Sequence, residues 1–153
     1  MDISVYELLD DSVETMAYDG DIIKFVKLTE EFLGKVLSNR DFIGFKEGHL
    51  KVHILTLLYL NGLYYVQSEM EAEKGYVDIF LRERQPFEVN YEWVLELKYL
   101  KKQDMDRLEE LEATGEKQLR EYMKKVTPQT KRTLKGVLLI FAGTGECVCQ
   151  KMV

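Results

Sequence analysis

The chain has 153 residues, 46% of them hydrophobic and 31% charged, with a net charge of −6 and two prolines. This is the size of one ordinary domain, able to bury roughly 68–70% of its unfolded surface without staples, and the composition excludes a disordered tail. No apolar run approaches the ~18 residues of a membrane span and the start, MDISVYELLDD, lacks a basic signal region, so the expectation is a cytoplasmic protein with no membrane partner.

Residues 21–38 place Ile22, Ile23, Val26, Phe32, Leu33 and Val36 at mostly helical spacing behind Asp21, which predicts an amphipathic helix with an aspartate cap. A second helix is expected over Glu47–Asn61, closed by Gly62. The period then changes. Tyr64–Glu69, Tyr76–Arg82 and Trp93–Lys98 are short and rich in aromatic and β-branched residues, and read as a three-strand meander. A helix is expected from about Asp104 to Lys125. Two last strands follow, Gly136–Ala142 and Glu146–Met152, joined by the turn GTG. The unbroken apolar run in Gly136–Ala142 suits a strand covered on both faces by helices. The expected fold is therefore α/β (α+β), a mixed sheet of about five strands in the order α-βββ-α-ββ with extra helices in front. Residues 1–45 are read as a helical extension and 46–153 as the core. Cys147 and Cys149 are too close to staple a fold and too few for a zinc site; they read as small apolar fillers.

Two of the strands hold acids where acids are costly. Alternation puts Asp78 on one face with Tyr76 and Phe80, and puts Glu96 with Val94 and Lys98. A half-buried carboxylate loses solvation worth several kcal/mol unless a cation or hydrogen bonds replace the water. Two carboxylates and a lysine on neighbouring strands make an anionic cup, and such a cup suits Mg²⁺, which binds through one or two carboxylates and keeps waters that a substrate phosphate can displace. Phosphodiester hydrolysis is the reaction these parts fit best.

Asp78, seventeen residues, then Glu96-Leu97-Lys98 resembles the split motif of the PD-(D/E)XK nuclease superfamily, with Val77 in the place of the proline. The resemblance implies a restriction-endonuclease-like core and a metal-dependent nuclease, with DNA as the expected substrate and Mg²⁺ or Mn²⁺ as the cofactor. It assigns the metal to Asp78, Glu96 and the Leu97 carbonyl, with Glu47 or His53 as a further candidate, and gives Lys98 the reacting water. Gln118 and Tyr122 have the QxxxY spacing of RecB-like members, where that pair lies beside the metal and positions substrate. The segment Tyr65–Glu69 followed by Gly75–Ile79 is similar to a nuclease-like domain that follows a predicted AAA-type ATPase-like domain, which implies an AAA-type ATPase partner. The other reading is an inactive nuclease-fold module that docks or regulates such an ATPase. No Walker-type motif occurs in the chain.

Charge is polarised along the sequence. Residues 1–97 carry 9 Lys and Arg against 19 Asp and Glu, whereas residues 117–135 carry seven basic residues against Glu121 alone. Lys117, Arg120, Lys124, Lys125, Lys131 and Arg132 are the expected phosphate contacts, because binding follows the local field rather than the total charge. The glutamates 69, 71 and 73 read as a solvated run, with Glu69 able to reach the cup. His49 and His53, at i and i+4, read as a surface pair or a transition-metal pair. Tyr64, Tyr65 and Trp93 are stacking candidates if exposed.

Overall fold

The computed structural model describes residues 3–37, 44–68 and 78–153. The helices are α1 (Ile3–Glu14), α2 (Ile23–Leu37), α3 (Glu47–Asn61) and α4 (Leu108–Val126), and the strands are β1 (Tyr64–Ser68), β2 (Ile79–Glu83), β3 (Tyr91–Leu100), β4 (Thr133–Ala142) and β5 (Glu146–Met152). The sheet runs β1-β2-β3-β4-β5. Only the β3–β4 pair is parallel, joined across α4; the other neighbours are antiparallel. The architecture is an α+β, restriction-endonuclease-like fold.

Alternation along β3 divides the core. Trp93, Leu95 and Leu97 face a large apolar cluster walled by α1, α2 and α3, while Val94 and Leu100 face a smaller one under α4. Trp93 is fully buried and its indole N–H donates to the Met16 carbonyl at 2.9 Å, so the segment after α1 is tied to the central strand. Asp21 accepts from the Ile23 N–H at 2.9 Å, as the sequence predicts for a cap. α3 spans the expected residues and ends at Gly62, whose φ of 74° costs a glycine little.

The expected helix over 104–125 begins later. Lys102–Arg107 forms a 3₁₀ segment, with Asp104 at non-helical angles, before α4 starts at Leu108. Leu119 is buried in the smaller cluster and Leu108, Leu111 and Met123 pack against it. At Gly115 an added Cβ would lie 2.7 Å from Leu138 Cδ1, so helix and sheet approach closely there. A register shift between Ile140 and Phe141 separates the pairings of Cys149 and Cys147, and Cys147 packs on the large cluster while Cys149 packs on the small one. Residues 69–77 lie outside those described, which takes in the start of the expected second strand, Tyr76, Val77 and the glutamate run.

Candidate active site

β2 and β3 pair with Ile79 opposite Leu95 and Phe80 opposite Val94. One further step of that register sets Asp78 across from Glu96, on the face that carries Phe80 and Val94. Both acids are buried, Asp78 at 5% exposure and Glu96 at 1%. Asp78 Oδ2 accepts from the Leu97 N–H at 2.7 Å, so the carboxylate itself bonds the β3 backbone just before β2 begins. A strand residue turns its N–H and C=O to the same edge, which directs the Leu97 carbonyl toward the Asp78 side.

Lys98 Nζ lies 3.3 Å from Glu96 Oε1 and 3.8 Å from Glu47 Oε1. Glu47 enters from the first turn of α3, and Lys51, one turn on, sets its ammonium 3.8 Å from Asp78 Oδ1. Three carboxylates thus share two ammonium groups. Glu96 Oε2 is buried and has no hydrogen-bond partner among the described residues.

The electrostatics follow. Burial, reinforced by the Asp78 charge and only partly offset by Lys98, pushes Glu96 up to about 8. Burial also raises Asp78, against the Leu97 N–H and Lys51, and raises Glu47 against Lys98. Burial lowers Lys98, but the carboxylates of Glu96 and Glu47 outweigh it and hold the ammonium above the ordinary lysine value. The neighbouring carboxylates thus favour the charged form of Lys98.

A missing positive charge fits this cup. Among the described residues no three His, Cys, Asp or Glu side chains form a ligand set by themselves. A cation there would be offered two carboxylates and the Leu97 carbonyl, all oxygen donors. That all-oxygen donor set matches Mg²⁺ or Mn²⁺ and not a soft metal.

The helix α4 runs antiparallel to β4: Gly115 lies against Leu138, the neighbour of Glu96, whereas Met123 lies against Gly136. Tyr122 is 7% exposed and meets the Phe80 ring edge-on at 6.4 Å. Gln118 is half-buried one turn nearer the N-terminus of α4.

Other expected residues have different surroundings. His53 stacks on Phe45 and meets Phe32 edge-on, with its pKa lowered by burial, and His49 Nδ1 accepts from the Lys46 N–H at the start of α3. Trp93 and Tyr64 are core residues; Tyr65 is 56% exposed. In the basic segment, Arg132 makes a two-pronged pair with Glu83 and Arg120 pairs with Glu116, while the side chains of Lys117, Lys124, Lys125 and Lys131 are exposed. Lys135, in the same run, turns inward to the Gly20 carbonyl at 2.9 Å. The sequence reading missed Lys51, although its i, i+4 spacing from Glu47 sets the two on one face of α3.

A family model of the PD-(D/E)XK nuclease superfamily matches residues 45–151. No curated protein matches the chain. No helix among the described residues is long and apolar enough to cross a membrane.

Proposed function

The chain belongs to the PD-(D/E)XK nuclease superfamily, and on that footing we propose that it is a Mg²⁺- or Mn²⁺-dependent nuclease hydrolysing phosphodiester bonds, with DNA as its substrate. The buried Glu96 Oε2 beside Asp78, without a partner among the described residues, is the observation that carries the reading, because an orphaned carboxylate oxygen in an apolar setting is expensive unless a ligand completes it. Asp78, Glu96 and the Leu97 carbonyl would hold the ion, and Glu47, paired with Lys98, lies at the edge of the same cup. When bound, such an ion would supply Lewis-acid polarisation of a phosphoryl oxygen and would lower the pKa of a water. Lys98 orients that water and offsets the negative charge that grows on the phosphoryl group. Lys51 holds Asp78 in place and supplies a second cation beside it.

Gln118 and Tyr122, in the role of the QxxxY pair of RecB-like members, line the α4 side of the cup and position substrate. Lys117, Lys124, Lys125 and Lys131 meet backbone phosphates. Arg120 and Arg132 join them only by leaving Glu116 and Glu83, so they contribute less.

The test is calorimetric titration of Mg²⁺ into wild type and Asp78→Ala, with cleavage of labelled DNA followed in parallel. The expected result is a saturable heat and cleavage in wild type, with both lost in the variant. Equal heats, or no heat and no cleavage in either, would overturn the proposal and leave the inactive module that docks an AAA-type ATPase.

A further inference from the structure

Beyond Lys98, β3 continues through Tyr99 and Leu100 and releases the chain at Lys101. There a cavity of about 260 Å³ opens between the start of α3, the end of β3 and the start of α4. Glu47 belongs to its wall and also bonds Lys98, so the cavity begins where the acidic cup ends. Three residues of extended strand separate Lys98 from Lys101, roughly 10 Å.

Three cations from three different segments line this cavity: Lys46 before α3, Lys101 after β3, and Arg107 ahead of α4. All three side chains are exposed, and none is in an ion pair among the described residues. The arginines of the basic segment differ, since Arg120 and Arg132 are both held by glutamates. Two acids, Glu47 and Asp104, also reach the cavity, and the first of them is occupied by Lys98. Tyr99 and Leu111 add apolar surface to the wall. Convergent like charges repel one another and favour an anion that gathers them. An apolar wall with a cationic rim suits a nucleotide better than a bare phosphate.

We infer that this cavity is a nucleotide subsite, in which Lys46, Lys101 and Arg107 hold the phosphate next to the scissile one while its nucleoside lies against Tyr99 and Leu111. The inference rests on the nuclease reading above and extends it. A cup with an excess of carboxylates repels a polyanion, and the neighbouring cationic cavity supplies the attraction that brings the strand across it. The strand therefore enters along the C-terminal end of β3, and the first contacts that fix its register come from Lys101 and Arg107 rather than from α4.

The experiment measures fluorescence anisotropy of a labelled DNA oligonucleotide, single-stranded and duplex, against salt, with Mg²⁺ calorimetry on the same proteins. The variant is Lys101→Ala with Arg107→Ala; both side chains are exposed, so the fold is kept. A control of equal charge change is Lys24→Ala with Lys27→Ala on α2. The expected outcome is roughly 10-fold weaker binding in the first variant and a salt slope lower by about 0.9 per lost contact on duplex or about 0.7 on a single strand, with the control unchanged. The Mg²⁺ titration is expected to be the same in all three proteins. Unchanged affinity in the first variant, an equal loss in the control, or a wild type that binds no DNA would each overturn the inference. Binding that depends on Lys101 and Arg107 in a protein that takes up no Mg²⁺ would uphold this subsite while overturning the metal-dependent nuclease.

Discussion

Glu96 shows how a single side chain can be costly to the fold and still suit the proposed chemistry. It is 1% exposed, one oxygen has no partner among the described residues, and burial with the Asp78 charge raises its pKa to about 8. Replacing it by glutamine keeps the shape and removes the ionisable group that the apolar surroundings penalise. In metal-free buffer Glu96→Gln is expected to be the more stable protein, by about 1 kcal/mol, which at this size shifts Tm by roughly 2–4 °C. The same variant should give no heat on Mg²⁺ titration. Thermal melts in EDTA decide the matter: a lower Tm in the variant would mean that the carboxylate stabilises the metal-free fold. Lys98 could be read from the sequence as the partner of Glu96 because both lie on one face of a strand. Lys51 was harder to see, since its link to Asp78 joins a helix to the end of a strand far along the chain.

At the scale of elements, α2 and α3 meet through aromatic rings, with His53 of α3 stacked on Phe45 at 6.1 Å and edge-on to Phe32 of α2 at 5.3 Å. Burial and, next, the nearby His49 lower the His53 pKa in the folded protein. Between that lowered value and the ordinary 6.5 the unfolded chain binds more protons than the folded one, so stability is full above about pH 6.5 and is lost as the pH falls. Urea unfolding at pH 7.5 and 5.5 should show a smaller loss in His53→Phe than in wild type. Equal losses would clear His53 as a source of the acid sensitivity. Element positions were mostly legible because periodicity changes sharply at Gly62 and again after Leu100. α3 has the expected bounds and the strands of the meander shift by a few residues. The start of α4 was not legible: Lys102–Arg107 has a helix-like polar composition, yet it forms a 3₁₀ segment with Asp104 outside helical angles. Nor could alternation alone predict the two faces of Cys147 and Cys149, because an extra residue between them in β5, Val148, forms a β-bulge that breaks the period of two.

The whole molecule joins a family-typical core to helices that lie before it. The family match begins at residue 45, after α1 and α2, and the sequence alone suggests that residues 1–45 form an extension. Packing argues that the extension is part of the core. Leu9, Val13, Met16, Ile22, Phe25, Val26 and Leu33 are all at least 96% buried, in the same cluster as Leu50, Ile54, Trp93 and Leu139. At about 1.5–3 kcal/mol for each buried side chain, their contribution is roughly 10–20 kcal/mol, as large as the ~5–15 kcal/mol net stability of a typical domain. Removing residues 1–45 would also leave the Trp93 indole without the Met16 carbonyl and uncover the part of the sheet face opposite α4 that α1 and α2 cover. A chain of residues 46–153 is therefore expected to lack a cooperative urea transition and the near-ultraviolet circular dichroism of a fixed Trp93, whereas the full chain shows both. Adding residues 1–45 as a separate peptide should restore some of the signal, because the missing surface is a continuous wall of helices. A fragment that unfolds cooperatively on its own, with Trp93 held as in the full chain, would refute the single core and make the first 45 residues a true appendage.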